Sequence, residues 1–141
     1  MIINGKDYIL TFTQIQKLQE LHVKLTYIFG SYAESTTHVF SDIDIGVVFL
    51  NNVVIESDLG KIYNELYNIF TDIFPDKTID IVFLQKAGLE LCFDVICHGV
   101  ILYEASPDAR FEFEENINIL YADFKPLLYE FNRVILDRIQ V

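Results

Sequence analysis

Basic residues are scarce in this chain. Ten lysines and arginines stand against twenty-one aspartates and glutamates, for a formal net charge of −11. That balance opposes general attraction to a nucleic acid backbone and favours a basic protein partner, or a substrate that brings its own cations. Cysteine is also rare. Cys92 and Cys97 lie five apart in a predicted helix, off a shared face, and fit no zinc or redox spacing. Buried free thiols are the expectation. No apolar run reaches the roughly 18 residues that a membrane span requires, and charges interrupt every candidate. The leading MIINGKDYIL has neither the basic start nor the cleavage region of a secretory signal, so a cytoplasmic location is expected. Internal repeats, low-complexity tracts and interdomain linkers are absent from the sequence.

What is abundant is apolar and aromatic. Hydrophobic residues make up 52% of the 141 positions, with twelve Phe and eight Tyr, which excludes a disordered chain and points to buried contact with a partner. One domain with a real core is the simplest organisation at this length. Thr13 with Gln16 forms a capping-box pattern that predicts a helix to about Leu25, with strand 26–29 after it. Residues 33–40 read as one helical turn and a loop, and 43–49 as a second strand ended by Asn51-Asn52. A helix from a Ser57 cap to Phe74 is stopped by Pro75, and a third strand spans 79–84. Residues 87–98 form a helix closed by Gly99, with His98 at its negative end. A short strand at 100–103 follows, then a helix started by Ser106-Pro107-Asp108. Its stripe of Ile117, Leu120, Phe124, Leu127, Phe131 and Val134 is expected to pack on the chain's own sheet, with contact to a partner as the alternative, and Pro126 to kink or divide the helix. Alternating strands and helices make this an α/β fold with a mixed sheet of three to four strands, flanking helices and a helical tail. The core is expected at 1–105, with 106–141 a C-terminal helical extension of the same domain.

The chemistry concentrates in YIFGSYAESTTHVFSDIDIGVVF, residues 27–49. An apolar strand ends at Gly30-Ser31, the composition of a strand-to-helix turn whose free N–H groups can face phosphate oxygens. Ten residues later, Asp42 and Asp44 flank Ile43 at the head of the second strand. Residues two apart on a strand share a face, so both carboxylates can meet one cation while Ile43 and Ile45 enter the core. Two such carboxylates repel each other unless a cation lies between them. Hard oxygen ligands in small number suit magnesium when phosphates complete its shell. Asp80 places a third carboxylate at the start of the third strand.

Glycine-serine, ten residues, then aspartate-x-aspartate resembles the signature of the DNA polymerase β-like nucleotidyltransferases. Size and layout resemble the minimal nucleotidyltransferases (MNT), found with HEPN-domain partners as toxin–antitoxin pairs. The likeness runs from the first helix through the strand bearing Asp80, and less specifically to the aromatic tail. It implies that Gly30 and Ser31 hold the triphosphate of ATP, and that Asp42 and Asp44 bind Mg²⁺. Asp80 would complete a catalytic triad as a metal ligand or as the base toward an attacking hydroxyl. It further implies an antitoxin that transfers AMP to a hydroxyl, in particular a tyrosine, of a HEPN ribonuclease toxin. The chain departs from the family in having no lysine or arginine between Lys24 and Lys61. Phosphate contacts then fall to metal, backbone N–H groups, Lys61 or His38. Two other functions fit the same features: an antitoxin that acts by docking alone, and nucleotide transfer to a small cationic acceptor such as an aminoglycoside.

Overall fold

The computed structural model describes residues 2–3, 6–7, 9–30, 42–51 and 58–139. Strands β1 (Ile2–Ile3) and β2 (Lys6–Asp7) pair antiparallel as a minimal ladder. Gln14 sets the start of helix α1 (Phe12–Glu20). Its Oε1 accepts the Thr11 backbone N–H at 2.8 Å, and the Thr11 hydroxyl accepts the Gln14 N–H at 3.2 Å, a reciprocal capping box. The buried amide is completed by its Nε2, which donates to Asp72 at 2.7 Å. The cap is therefore Thr11–Gln14, two residues before the predicted Thr13–Gln16.

The helix also ends earlier than predicted. His22 takes a left-handed conformation (φ 59°), and strand β3 (Val23–Phe29) begins at once. Val, Thr, Tyr, Ile and Phe dominate that run, and their strand preference outweighs the helical spacing of Leu21 and Leu25. Strand β4 (Ile43–Phe49) matches its prediction. Helix α2 (Leu59–Ile73) is capped by Asp58, whose Oδ1 accepts the Lys61 N–H at 3.1 Å. Then come β5 (Ile79–Phe83), a 3₁₀ turn (Leu84–Lys86), helix α3 (Leu89–His98), β6 (Val100–Glu104) and helix α4 (Pro107–Ile139). The predicted features at Ser31, 33–40, Asn52 and Ser57 lie outside the described residues.

The four-stranded sheet has the order β5-β4-β3-β6, with β4 and β5 parallel and the other pairs antiparallel. Gln85 extends the parallel pair beyond its last strand residue. Its amide accepts from Phe49 N at 2.8 Å and donates to Phe49 O at 2.9 Å, in the manner of one more backbone unit. On one face Ile43, Ile45, Val47 and Phe49 pack with Leu66 and Phe70 of α2. On the other, Leu25, Tyr27, Phe29 and Val48 pack with Cys92 and Val95 of α3 and Ile117 of α4.

Helix α4 begins as predicted, with the Ser106 hydroxyl accepting the Ala109 N–H at 3.1 Å. It is tied to the sheet by Glu114, which accepts from the Tyr27 hydroxyl and from Arg110 Nε, each at 3.0 Å. Burial and the adjacent Glu114 carboxylate hold the Tyr27 phenol far above its ordinary range. Beyond that tie the helix departs from its predicted course. Pro126 lies inside one uninterrupted helix, at an exposed position, and does not divide it. The apolar stripe leaves the body instead of packing along the sheet, with Leu127 and Phe131 69% and 63% exposed. The lengths explain this: 33 helical residues span about 50 Å, whereas a seven-residue strand spans about 23 Å. The cysteines also divide. Cys92 is buried and donates to the Leu84 carbonyl at 3.1 Å, while Cys97, expected to be buried, is exposed.

Candidate active site

Three chain segments meet at one corner of the sheet. Strand β3 delivers Phe29 and then Gly30 at its C-terminal end, and β4 and β5 start beside it. Phe29 is the antiparallel partner of Asp44, and Asp44 is the parallel partner of Asp80. Direct partners on neighbouring strands have side chains on the same face, about 4.8 Å apart along the hydrogen-bonding direction. Ile43 and Ile45, on the opposite face, are fully buried, which is the alternation expected from the sequence.

Asp44 is half-buried, whereas Asp42 and Asp80 are exposed. Burial raises the Asp44 carboxyl above its ordinary range, and the charges of Asp80 and then Asp42 raise it further. Asp44 thus feels the charge of both other carboxylates. Among the described residues no three His, Cys, Asp or Glu side chains close to metal-holding distance.

Gly30 shapes the corner. Its φ of 75° is left-handed, and a Cβ built on it would run into Oδ2 of Asp44. Only glycine lets the turn and the carboxylate share that space. Hard, exposed carboxylate oxygens beside a turn stripped of side chain form a donor set that fits a divalent cation with phosphate attached.

Ser31 and His38 lie outside the described residues. Lys61 does not join the group. It is exposed in the first turn of α2, and the β4–α2–β5 crossover puts that turn at the Phe49 end of β4, opposite Asp44. A feature with no signal in residue spacing lies at that opposite end. A cleft of about 770 Å³ opens between β4, α3 and α4, lined by Phe49, Asn51, Leu89, Phe113 and Leu120 but by none of the three aspartates.

Residues 13–108 match the model of the family described as polymerase beta, nucleotidyltransferase, and the chain belongs to that family. Among characterised relatives, the protein adenylyltransferase MntA of Shewanella oneidensis is 33% identical over 89 residues, which span 61% of this chain and 58% of that protein. The aligned part is thus little more than half of that relative's length. A crystal structure of a mutant MntA–HpeT toxin–antitoxin superposes with a TM-score of 0.63 at 25% identity, covering 94% of this chain and all of that one. A toxin–antitoxin crystallised with AMP-PNP gives a TM-score of 0.60 at 26% identity, with the same coverage of this chain and 100% of the other.

Proposed function

We propose that this chain is an antitoxin nucleotidyltransferase that moves AMP from ATP to a hydroxyl, a tyrosine side chain, of a HEPN-type ribonuclease toxin and thereby neutralises it. The observation that carries this reading is the Asp44–Asp80 register on one face of the sheet, with Asp42 two residues ahead and Gly30 opening the space against Asp44. Support comes from the family match, from the adenylyltransferase relative and from the similarity to toxin–antitoxin structures, one of them crystallised with an ATP analogue.

Each residue has a definite task in this reading. Asp42, Asp44 and Asp80 would hold Mg²⁺. The ion, when bound, would neutralise charge on the phosphate oxygens during transfer. Gly30 would offer its backbone N–H to the triphosphate without a side chain in its path, and Ser31, outside the described residues, is assigned to the same triphosphate by the family resemblance. Asp80, exposed on the adjacent strand, would orient or deprotonate an incoming hydroxyl. Nucleotidyl transfer needs mainly positioning and charge neutralisation, and three fixed carboxylates contribute to both. A bulky anion added beside a ribonuclease site would block RNA phosphates by repulsion and by volume.

The test is incubation with labelled ATP, Mg²⁺ and the product of the neighbouring gene, comparing wild type with Asp42→Ala plus Asp44→Ala. Label on the partner with wild type alone supports transfer. Inhibition of the ribonuclease by both forms without label supports the second reading, an antitoxin that acts by docking. That reading is favoured by the absence of Lys and Arg between Lys24 and Lys61 and by the position of Lys61 away from the carboxylates.

A further inference from the structure

The apolar stripe of α4 starts inside the body and continues outside it without a break. Ile117 is buried and lines the 770 Å³ cleft together with Leu120. The stripe then runs through Phe124, Leu127, Phe131 and Val134 at alternating steps of three and four, one side of a helix. Tyr121 stacks on Phe93 of α3, with centroids 3.8 Å apart and planes at 8°, and marks the point where α4 leaves its neighbour. Beyond it Leu127, Phe131 and Val134 are 69%, 63% and 44% exposed. Scattered apolar residues on a surface are ordinary, but a continuous row leading out of a cleft is not.

The two flanks of the row differ in a way that selects the occupant. One flank carries Asp123, Glu130 and Asp137 at seven-residue intervals, all acidic and exposed, and the other carries Tyr121, Leu128 and Ile135. Two copies laid antiparallel along the row would bring acidic flank against acidic flank. Laid parallel, each acidic flank would face the partner copy's apolar one and lose water without gaining a pair. A second copy is disfavoured either way, and a chain of net charge −11 adds repulsion at long range. Glu130 is paired with Arg133 at 2.9 Å. An exposed pair of that kind contributes little and can be exchanged for a partner's cation.

We propose that the cleft and the α4 row form one docking track for the toxin partner, which presents an apolar helical surface edged by Lys or Arg where it meets Asp123, Glu130 and Asp137. This rests on the reading of the chain as an antitoxin, but not on catalysis. The track begins at the Phe49 end of β4, about 17 Å along the strand from Asp44. Substitutions can therefore remove docking without touching the carboxylates.

The experiment measures binding of the purified product of the neighbouring gene, the toxin partner on this reading, to wild type and to two variants. One is Leu127→Glu with Phe131→Glu; the other is Asp123→Lys, Glu130→Lys and Asp137→Lys. All five positions are exposed, so unchanged circular dichroism is expected. The apolar pair is expected to weaken binding by about thirtyfold or more. The charge triple is expected to slow association by about tenfold and flatten its salt dependence. Both variants should still bind ATP with Mg²⁺. Partner binding within about twofold of wild type in the apolar variant overturns the proposal, as does failure of the wild-type chain to bind the partner. A stripe-dependent dimer of this chain alone in sedimentation also overturns it, making a second copy the occupant. Stripe-dependent binding without AMP transfer by wild type supports the track and counts against the transfer reading alone.

Discussion

The backbone of Gly30 and the carboxylate of Asp44 occupy adjoining space: a Cβ on the glycine would clash with Oδ2 of the aspartate. Gly30→Ala must therefore push that carboxylate aside and also strain a backbone held at φ 75°. The strain alone should cost about 1 kcal/mol of stability. Displacement of a positioned ligand by about an ångström should lower transfer by about 100-fold. A thermal melt and an initial-rate assay on the same preparation check both, and activity should fall far more than stability.

Asp44 is costly to the metal-free fold. Its folded carboxyl is raised above 3.8 by burial, then by Asp80 and Asp42, so the native state binds the proton more tightly than the unfolded state. Stability of the metal-free protein must then fall as pH rises through the interval from the unfolded value up to the raised native one. The full cost is present at neutrality. Asp44→Asn should stabilise the chelator-treated protein at about pH 7 by about 0.5–1 kcal/mol, a figure kept small because the group is partly solvated. The gain should shrink toward about pH 4. Urea denaturation at the two pH values reads it directly.

Tyr27 is buried, and its hydroxyl hydrogen-bonds to a carboxylate that also serves Arg110. Tyr27→Phe removes one charge-assisted hydrogen bond between sheet and α4, and should cost about 1.5–3 kcal/mol. Chemical denaturation checks the loss, and Mg²⁺-dependent ATP binding should be retained.

The thiols should react in two steps. Cys97 is exposed, whereas Cys92 is buried, donates to Leu84 O, and has its thiol pushed up by burial. A thiol-reactive chromophore should modify Cys97 in the native protein and Cys92 only after denaturant is added. Equal rates for both would contradict the packing of α3 on the sheet.

Much of the fold is legible in the residues, for reasons that can be named. The run IDIGVVF opens with so clear an alternation that β4 and its buried Ile43 and Ile45 follow from the pattern alone. Asp80 is recognisable as a strand-head carboxylate, but its pairing with Asp44 is a tertiary register that local pattern does not carry. The end of α1 escapes the pattern because Leu21 and Leu25 fit a helical spacing that strand-forming neighbours and a left-handed His22 override. The α4 stripe is amphipathic by its spacing, yet periodicity says only that a face is apolar and not what covers it. Here the helix outruns its own sheet.

The central claim is that Asp42, Asp44 and Asp80 together bind a metal-complexed nucleotide. Calorimetric titration of ATP into the wild-type chain, with and without Mg²⁺, and into the Asp42→Asn, Asp44→Asn, Asp80→Asn triple variant tests it most directly. Saturable binding that requires Mg²⁺ in wild type and is lost in a folded triple variant is the predicted result. Equal binding by the two proteins, or ATP binding by wild type that is indifferent to Mg²⁺, would contradict it.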